Sequence, residues 1–302
     1  MRFRRTATWR AGWGRVHTSE AEQLIDQAYE AWDAEDWPTA AGLFERVLAH
    51  YPDEPKSSVW WYDAALAHKF LRNWGKAYEL GREAAARAPR GEGDPAYWNL
   101  GIAATIQRDW VTARDAWEGF GIQLPPGEGE INGRFGPACV RLDTGGEREV
   151  VWIDRLCPTR GRVVNVPVTG GRRYGEIVVH DGEPKGRRVI EGREYPVFEE
   201  LLLFQASDLP TLTATVNASE VADVDDLIEL FDRHGYGAEP ASGYEVLCAC
   251  CSEGTHEQER KTHAGAQRVS FAAPEEEARR LLDQWAARTP IGRSWSGLTL
   301  VG

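Results

Sequence analysis

The chain has 302 residues, and its 47 Asp and Glu outnumber its 35 Lys and Arg, giving a formal charge of −12. At roughly 100–200 residues per domain this length implies two or three domains, and a content of 42% hydrophobic and 27% charged residues is that of a globular chain rather than a disordered one. The acidic balance argues against nucleic acid as a partner, because phosphate binding needs clustered cations, and apolar runs of only a few residues, such as Leu201–Phe204, fall far short of the ~20 residues of a membrane-spanning helix.

Residues 1–18 read as a basic arm. They carry Arg2, Arg4, Arg5, Arg10 and Arg15, no acid, and none of the apolar core a signal peptide needs. Such an arm is either solvated or docked on an acidic surface, the protein's own included. The five cysteines are odd in number, and Cys248, Cys250 and Cys251 cluster. That is not the pattern of a secreted disulfide framework, so a reducing compartment and a cytoplasmic location are expected.

An internal repeat follows. Trp37 and Ala40, Trp74 and Ala77, and Trp110 and Ala113 recur in three similar segments, and the alanines are separated by 37 and 36 residues. Pro52, Pro89 and Pro125 keep the same spacing, each where a missing amide donor would end a helix. Ser19-Glu20-Ala21-Glu22 has the form of a capping box opening the first helix. Small residues such as Ala65 and Gly101 would let paired helices approach closely, while Phe44, Trp61 and Trp117 would fill the gaps between them.

This pattern over residues 19–126 resembles the tetratricopeptide repeat, or TPR, although each unit is longer than that family's ~34 residues. The matching positions are Ala28, Ala40, Phe44 and Pro52, then Trp61, Ala65, Ala77, Ala84 and Pro89, then Leu100, Gly101, Ala113 and Pro125. The resemblance implies an α-solenoid whose concave face lies on the first helix of each pair. By register that face would carry Tyr29, Trp32 and Asp33, then Tyr62, Leu66 and Lys69, then Trp98, Asn99, Ile102 and Thr105. Aromatic residues there would anchor a protein partner, unless the protein's own C-terminal region fills the groove. Family members that grip a C-terminal carboxylate use Lys, Arg and Asn in the groove. Ile25, Tyr29 and Pro95 stand at such positions here, which disfavours that ligand.

From Gly127 to residue 209 the texture turns to short β-branched runs between turns. Strands are expected over Ala138–Leu142, Glu149–Leu156, Arg162–Val166, Gly175–His180 and Glu200–Gln205, forming a small β-barrel or compact sheet. Arg155, Arg160, Arg162, Arg172 and Arg173 make either an anion patch or a solvated face. His180-Asp181 has the composition of a base with its orienting group, but no nucleophile sits at a recognisable spacing.

Residues 210–302 follow the order strand, helix, strand, strand, helix, strand, over Thr211–Ala218, Glu220–His234, Gly243–Cys248, Gln267–Ala272, Pro274–Arg288 and Ser296–Val301. This order resembles the ferredoxin-like split βαβ arrangement, which by itself carries no function. The whole chain is therefore expected to be a multidomain α + β protein. Between its two middle strands, Cys248, Cys250, Cys251, His256 and His263 fall within sixteen residues. Thiolate and imidazole are the ligands zinc prefers, so this loop is the candidate metal site and zinc the one candidate cofactor. The spacing matches no standard zinc module, and a polar hairpin tip beside small buried cysteines fits the same residues.

Two functions follow. The first is a non-catalytic protein-binding protein, an adaptor or inhibitor, whose acidity steers it toward a basic partner; by analogy it fits an immunity protein that neutralises a bacterial toxin. The second is a zinc-binding regulator or enzyme centred on the Cys248–His263 loop. A P-loop, a GxGxxG after a strand, HExxH and GxSxG are all missing from the sequence, which favours the non-enzymatic reading.

Overall fold

The computed structural model describes residues 19–144, 147–167, 171–240, 254–257, 263–288 and 292–301. The basic arm and Cys248, Cys250 and Cys251 lie outside the described residues. The chain divides into two compact units, Met1–Gly133 and Arg134–Gly302.

The first unit contains three helix hairpins: α1 (Ser19–Asp33) with α2 (Trp37–His50), α3 (Ser57–Phe70) with α4 (Trp74–Ala86), and α5 (Pro95–Gln107) with α6 (Trp110–Phe120). One local device makes all three. Each second helix begins at the repeated tryptophan, and the residue before it is a cap. Asp36, Asn73 and Asp109 accept from the amides of Thr39, Lys76 and Thr112, satisfying donors the first helical turn leaves free. One residue earlier, Glu35, Arg72 and Arg108 take left-handed backbone with φ of 55°, 54° and 59°. That reversal ends the first helix and turns the chain into the second. Ala40, Ala77 and Ala113 are buried on the facing helices. Close approach is tightest in the third hairpin, where a Cβ on Gly101 would stand 2.7 Å from the Trp117 ring and one on Gly119 2.5 Å from the Tyr97 ring.

The second unit contains a barrel and a sheet. The barrel uses β1 (Pro137–Thr144), β2 (Glu147–Cys157), β3 (Arg160–Val163), β4 (Ile177–His180) and β6 (Arg193–Gln205). Neighbours run antiparallel in the order β1-β2-β3-β4-β6, and β6 returns to pair with β1 in parallel. An up-and-down run of five strands ends in the direction it began, so parallel closure is the only closure available. Ala138, Val140 and Leu142 alternate inward with Val151, Ile153, Val163, Val178 and Phe198. Gly161 fits this interior because a Cβ there would lie 2.5 Å from the Ile153 side chain. A further strand, β5 (Gly186–Ile190), pairs with β6 beside β4, and its other edge takes β9 (Gly254–Glu257) in parallel.

The remaining sheet has the order β11-β7-β10-β8, antiparallel throughout, from β7 (Thr211–Ala218), β8 (Gly237–Pro240), β10 (Gly265–Ala272) and β11 (Arg293–Leu300). Helices α7 (Val221–Asp232) and α8 (Glu275–Arg288) share its core, with Leu227, Phe231, Leu281 and Trp285 packed against Leu212, Val216, Val269 and Phe271.

Several expected strands move. β3 begins at Arg160 rather than Arg162, β6 reaches back to Arg193, and β11 starts at Arg293 rather than Ser296. In β6 the strand runs through Pro196, which pairs with Arg187 on β5. β5 was not expected at all, because Gly186-Arg187-Arg188 has turn composition. The strand expected at Gly243–Cys248 lies outside the described residues; β8 is earlier, at Gly237–Pro240.

Candidate functional site on the first helices

The first helices of successive pairs are tied to one another by side chains. The Tyr29 hydroxyl on α1 donates to Asp63 on α3 at 2.9 Å, and the Lys69 ammonium on α3 donates to Asn99 on α5 at 3.1 Å. The second helices have their own ties. The Tyr78 hydroxyl on α4 donates to the cap residue Asp109 at 2.6 Å. That bond, with those from Thr112, holds the Asp109 carboxyl below its ordinary pKa. Burial pushes the Glu45 carboxyl up, but hydrogen bonds from His68 at 2.7 Å and Lys76 at 3.0 Å outweigh it and leave the pKa lowered. Polar groups thus fix the spacing of the repeats while the apolar core supplies their cohesion.

The ten residues proposed for the groove divide by burial. Tyr29, Trp32, Tyr62, Leu66, Trp98 and Asn99 are half-buried, Asp33 is exposed, and Lys69, Ile102 and Thr105 are buried. Trp32 packs edge-on against Trp37 and Phe44. Trp98 packs edge-on against Trp117 and Phe120, and its indole N–H has no hydrogen-bond partner. The chemically versatile surface is therefore centred on Tyr29, Tyr62, Leu66 and Asn99. Asp63 belongs with them and was missed. Its signal was its place 34 residues after Tyr29, close to one repeat.

In the barrel the arginines do not form one patch. Arg160 is fully buried with its guanidinium 4.9 Å from the Phe204 ring centre. Arg172 pairs with Glu200 at 2.7 Å, and Arg155 donates to the carbonyls of Phe135 and Gly136. The His180-Asp181 pair is not a base with its orienting carboxylate either. His180 Nδ1 stands 2.7 Å from the Asp181 backbone carbonyl, and its ring, fully buried, stacks on Phe198 at 4.5 Å. Since a carbonyl only accepts, the proton sits on Nδ1 and Nε2 presents a lone pair; no partner meets it. Burial drives the pKa of this imidazole down to about 4. Burial also raises the thiols of Cys139, to about 12, and Cys157, so neither is a nucleophile at neutral pH.

Of the five proposed metal ligands, Cys248, Cys250 and Cys251 lie outside the described residues. His256 falls on β9, opposite Arg188 in the pairing with β5. His263 is exposed just before β10, and its carbonyl accepts from the Gln267 amide at 2.6 Å. Among the described residues no three His, Cys, Asp or Glu gather as a metal site, and no helix is long and apolar enough to cross a membrane.

No protein-family model matches the chain, and no curated protein matches it. Among solved structures it is similar to a chain of a "CopN-Scc3 complex", with 17% identity and a TM-score of 0.29 over 34% of this chain and 58% of that one. It is also similar to the Sgt2 TPR domain from Aspergillus fumigatus, with 22% identity and a TM-score of 0.28 over 34% of this chain and 65% of that one. The chain thus spans less than two thirds of either structure, and the likeness is too slight to carry an argument about activity. The TPR-like character of the first unit rests on its own three helix pairs, each capped and turned in the same way.

Proposed function

We propose that this is a non-catalytic adaptor or inhibitor that holds a protein partner on the face formed by α1, α3 and α5. The observation that carries this reading is the pair of side-chain ties, Tyr29 to Asp63 and Lys69 to Asn99. They join three helices into one surface that leaves Tyr62, Leu66 and Asn99 half-exposed. The net charge of −12 favours a basic partner by electrostatic steering. An immunity protein that neutralises a toxin is one such inhibitor, in a cytoplasmic setting. The test is affinity capture with the wild-type chain and a Tyr62→Ala, Leu66→Ala variant of matched melting temperature. A partner bound by the first and lost by the second supports the face; identical capture by both refutes it.

The βαββαβ run of the second unit is proposed to be ferredoxin-like, supported by the strand order β11-β7-β10-β8 with both helices sharing one core. Zinc on the Cys248–His263 loop is proposed as the alternative centre of function, supported by the placement of His256 on a strand seven residues before His263. Elemental analysis of the purified chain decides it. Stoichiometric zinc lost on Cys250→Ser supports the alternative; metal-free protein of unchanged stability removes it.

A further inference from the structure

Burial along the ligand-facing register rises from the first repeat to the last. Asp33 is exposed, its counterpart Lys69 is buried, and Thr105, at the same position again, is fully buried. One turn earlier, Leu66 is half-buried and its counterpart Ile102 is fully buried. The other helices of the unit do not account for this. On α5, Asn99 accepts from Lys69 on α3. Leu100 faces α4, where a Cβ on Gly81 would stand 3.6 Å from it, and Gly101 faces Trp117 on α6. At about 100° per residue, these three consecutive positions commit three sides of α5 to α3, α4 and α6. The remaining side carries Trp98, Ile102 and Thr105, and it is where the first helix of a fourth repeat would pack. No fourth repeat follows within this unit, because residues 121–133 form neither helix nor strand.

We propose that residues 122–132 cover this side of α5, as a strap that stands in for the missing helix and closes the α5 end of the binding face. Arg114 on α6 latches the strap. Its Nε donates to the Gly129 carbonyl and its Nη1 to the Pro125 carbonyl, both at 2.9 Å. Between them Gly127 takes φ 141°, and a Cβ there would stand 3.3 Å from Nη2, so the strap lies close against the guanidinium. The latch is level with the side to be covered. Across the antiparallel pair Tyr97 meets Gly119 and Gly101 meets Trp117, which sets Arg114 opposite residues 102–104. Ile131 follows Gly129 by two residues, within about 7 Å of it. It is fully buried, while Glu130 and Asn132 on either side are exposed. A lone apolar side chain on an exposed strap is buried only by what the strap crosses. The face open to a partner then ends at Asn99 and centres on Tyr62 and Leu66. That consequence rests on the partner-binding reading; the strap itself does not.

Two measurements on the full chain test it. In the first, Thr105→Cys is labelled with iodoacetamide and the rate at that position is followed by peptide mass spectrometry. Adding Arg114→Ala removes two hydrogen bonds from a charged donor, so labelling should accelerate on the order of tenfold or more, and Ile131→Ser should do the same. Amide exchange in α1 and α2 should stay as in the wild type, which separates uncovering of α5 from unfolding of the repeats. In the second, Ile102→Cys and Ile131→Cys are combined and oxidised, and a disulfide between these two positions is expected in the peptide map. Unchanged labelling at position 105 in both variants, with no link between 102 and 131, overturns the proposal and assigns the cover to another part of the chain. Should α1 and α2 loosen as well, the link decides: its presence supports the strap and its absence refutes it. A link in a protein whose capture is indifferent to Tyr62→Ala and Leu66→Ala supports the strap while refuting the partner face.

Discussion

The helical repeats and the five-stranded barrel solve the problem of burying polar backbone in opposite ways. Each helix pair closes on itself within about forty residues. Asp36, Asn73 and Asp109 cap, Glu35, Arg72 and Arg108 reverse the chain, and the same tryptophan starts the next helix each time. The barrel closes only when β6 meets β1, and Val197 pairs across to Cys139, nearly sixty residues earlier. A solenoid of near-identical neighbours is a sum of local terms, whereas a closed barrel has no independent part. The first arrangement offers surface between its units; the second encloses its titratable groups, and His180 and Arg160 end up fully buried.

The largest effect that would sharpen this contrast is expected at Trp117. It is fully buried, lies edge-on to Trp98 at 5.2 Å and fills the space that Gly101 leaves. Trp117→Ala is expected to cost about 3–5 kcal/mol, read from urea unfolding. If the repeats are additive, amide exchange should accelerate in α5 and α6 while α1 and α2 keep most of their protection. Uniform acceleration across all six helices would show a single cooperative block and break the comparison.

In the barrel the matching probe is pH. His180 in the folded chain has a pKa of about 4, against about 6.5 in an unfolded one. Between these values the unfolded chain binds the proton and the folded chain does not. Stability from this group is therefore full above about pH 6.5, falls as pH drops toward 4, and is level below it. The total is about 3 kcal/mol, from 1.36 kcal/mol per pKa unit. His180→Phe keeps the stack on Phe198 and removes the proton site. Its urea midpoint should match or exceed wild type at pH 5 and lack this portion of the pH slope. A variant with the wild-type slope would place the titration elsewhere.

These two probes also mark what could be read from the residues alone. Trp37, Trp74 and Trp110 with their caps lie next to one another in sequence, so the helix pairs were legible. Hydrogen bonds that cap a helix join residues three apart. The fate of Arg160 and His180 depends on strands that meet only on closure, and arginine composition alone reads as surface. β5 was hidden for the same reason: Gly186-Arg187-Arg188 is a strand because β6 and β9 flank it. Burial could not be read from the register either: of the residues expected on the ligand-facing side, Lys69, Ile102 and Thr105 are buried.

The caps give a smaller and finer test. Asp36→Ala and Asn73→Ala each remove one acceptor from a helix start and should cost about 1 kcal/mol. Asp109→Ala removes more, because that carboxylate also accepts from the hydroxyls of Tyr78 at 2.6 Å and Thr112 at 2.7 Å. Its cost should approach 2 kcal/mol, and Asp109→Asn should recover part of it. Equal losses at all three sites would mean that the Tyr78 tie contributes nothing to holding α4 against α6.

The smallest effect is expected with the opposite sign. Arg72 holds left-handed backbone at φ 54°, a conformation that costs most side chains about 1 kcal/mol or more. Glycine adopts it freely but loses more backbone entropy on folding. At an exposed turn position the relief of the left-handed backbone is the larger of these two terms, and Arg72→Gly should stabilise the chain by a few tenths to about 1 kcal/mol, less whatever the Arg72 side chain contributes. Glu35→Gly, in the equivalent turn one repeat earlier, should do the same. A matched gain at both positions would show that the turn is the same strained device each time, carried by local backbone alone. A gain at one and a loss at the other would mean that tertiary contacts of these side chains matter, and that the repeats are less alike than their backbones.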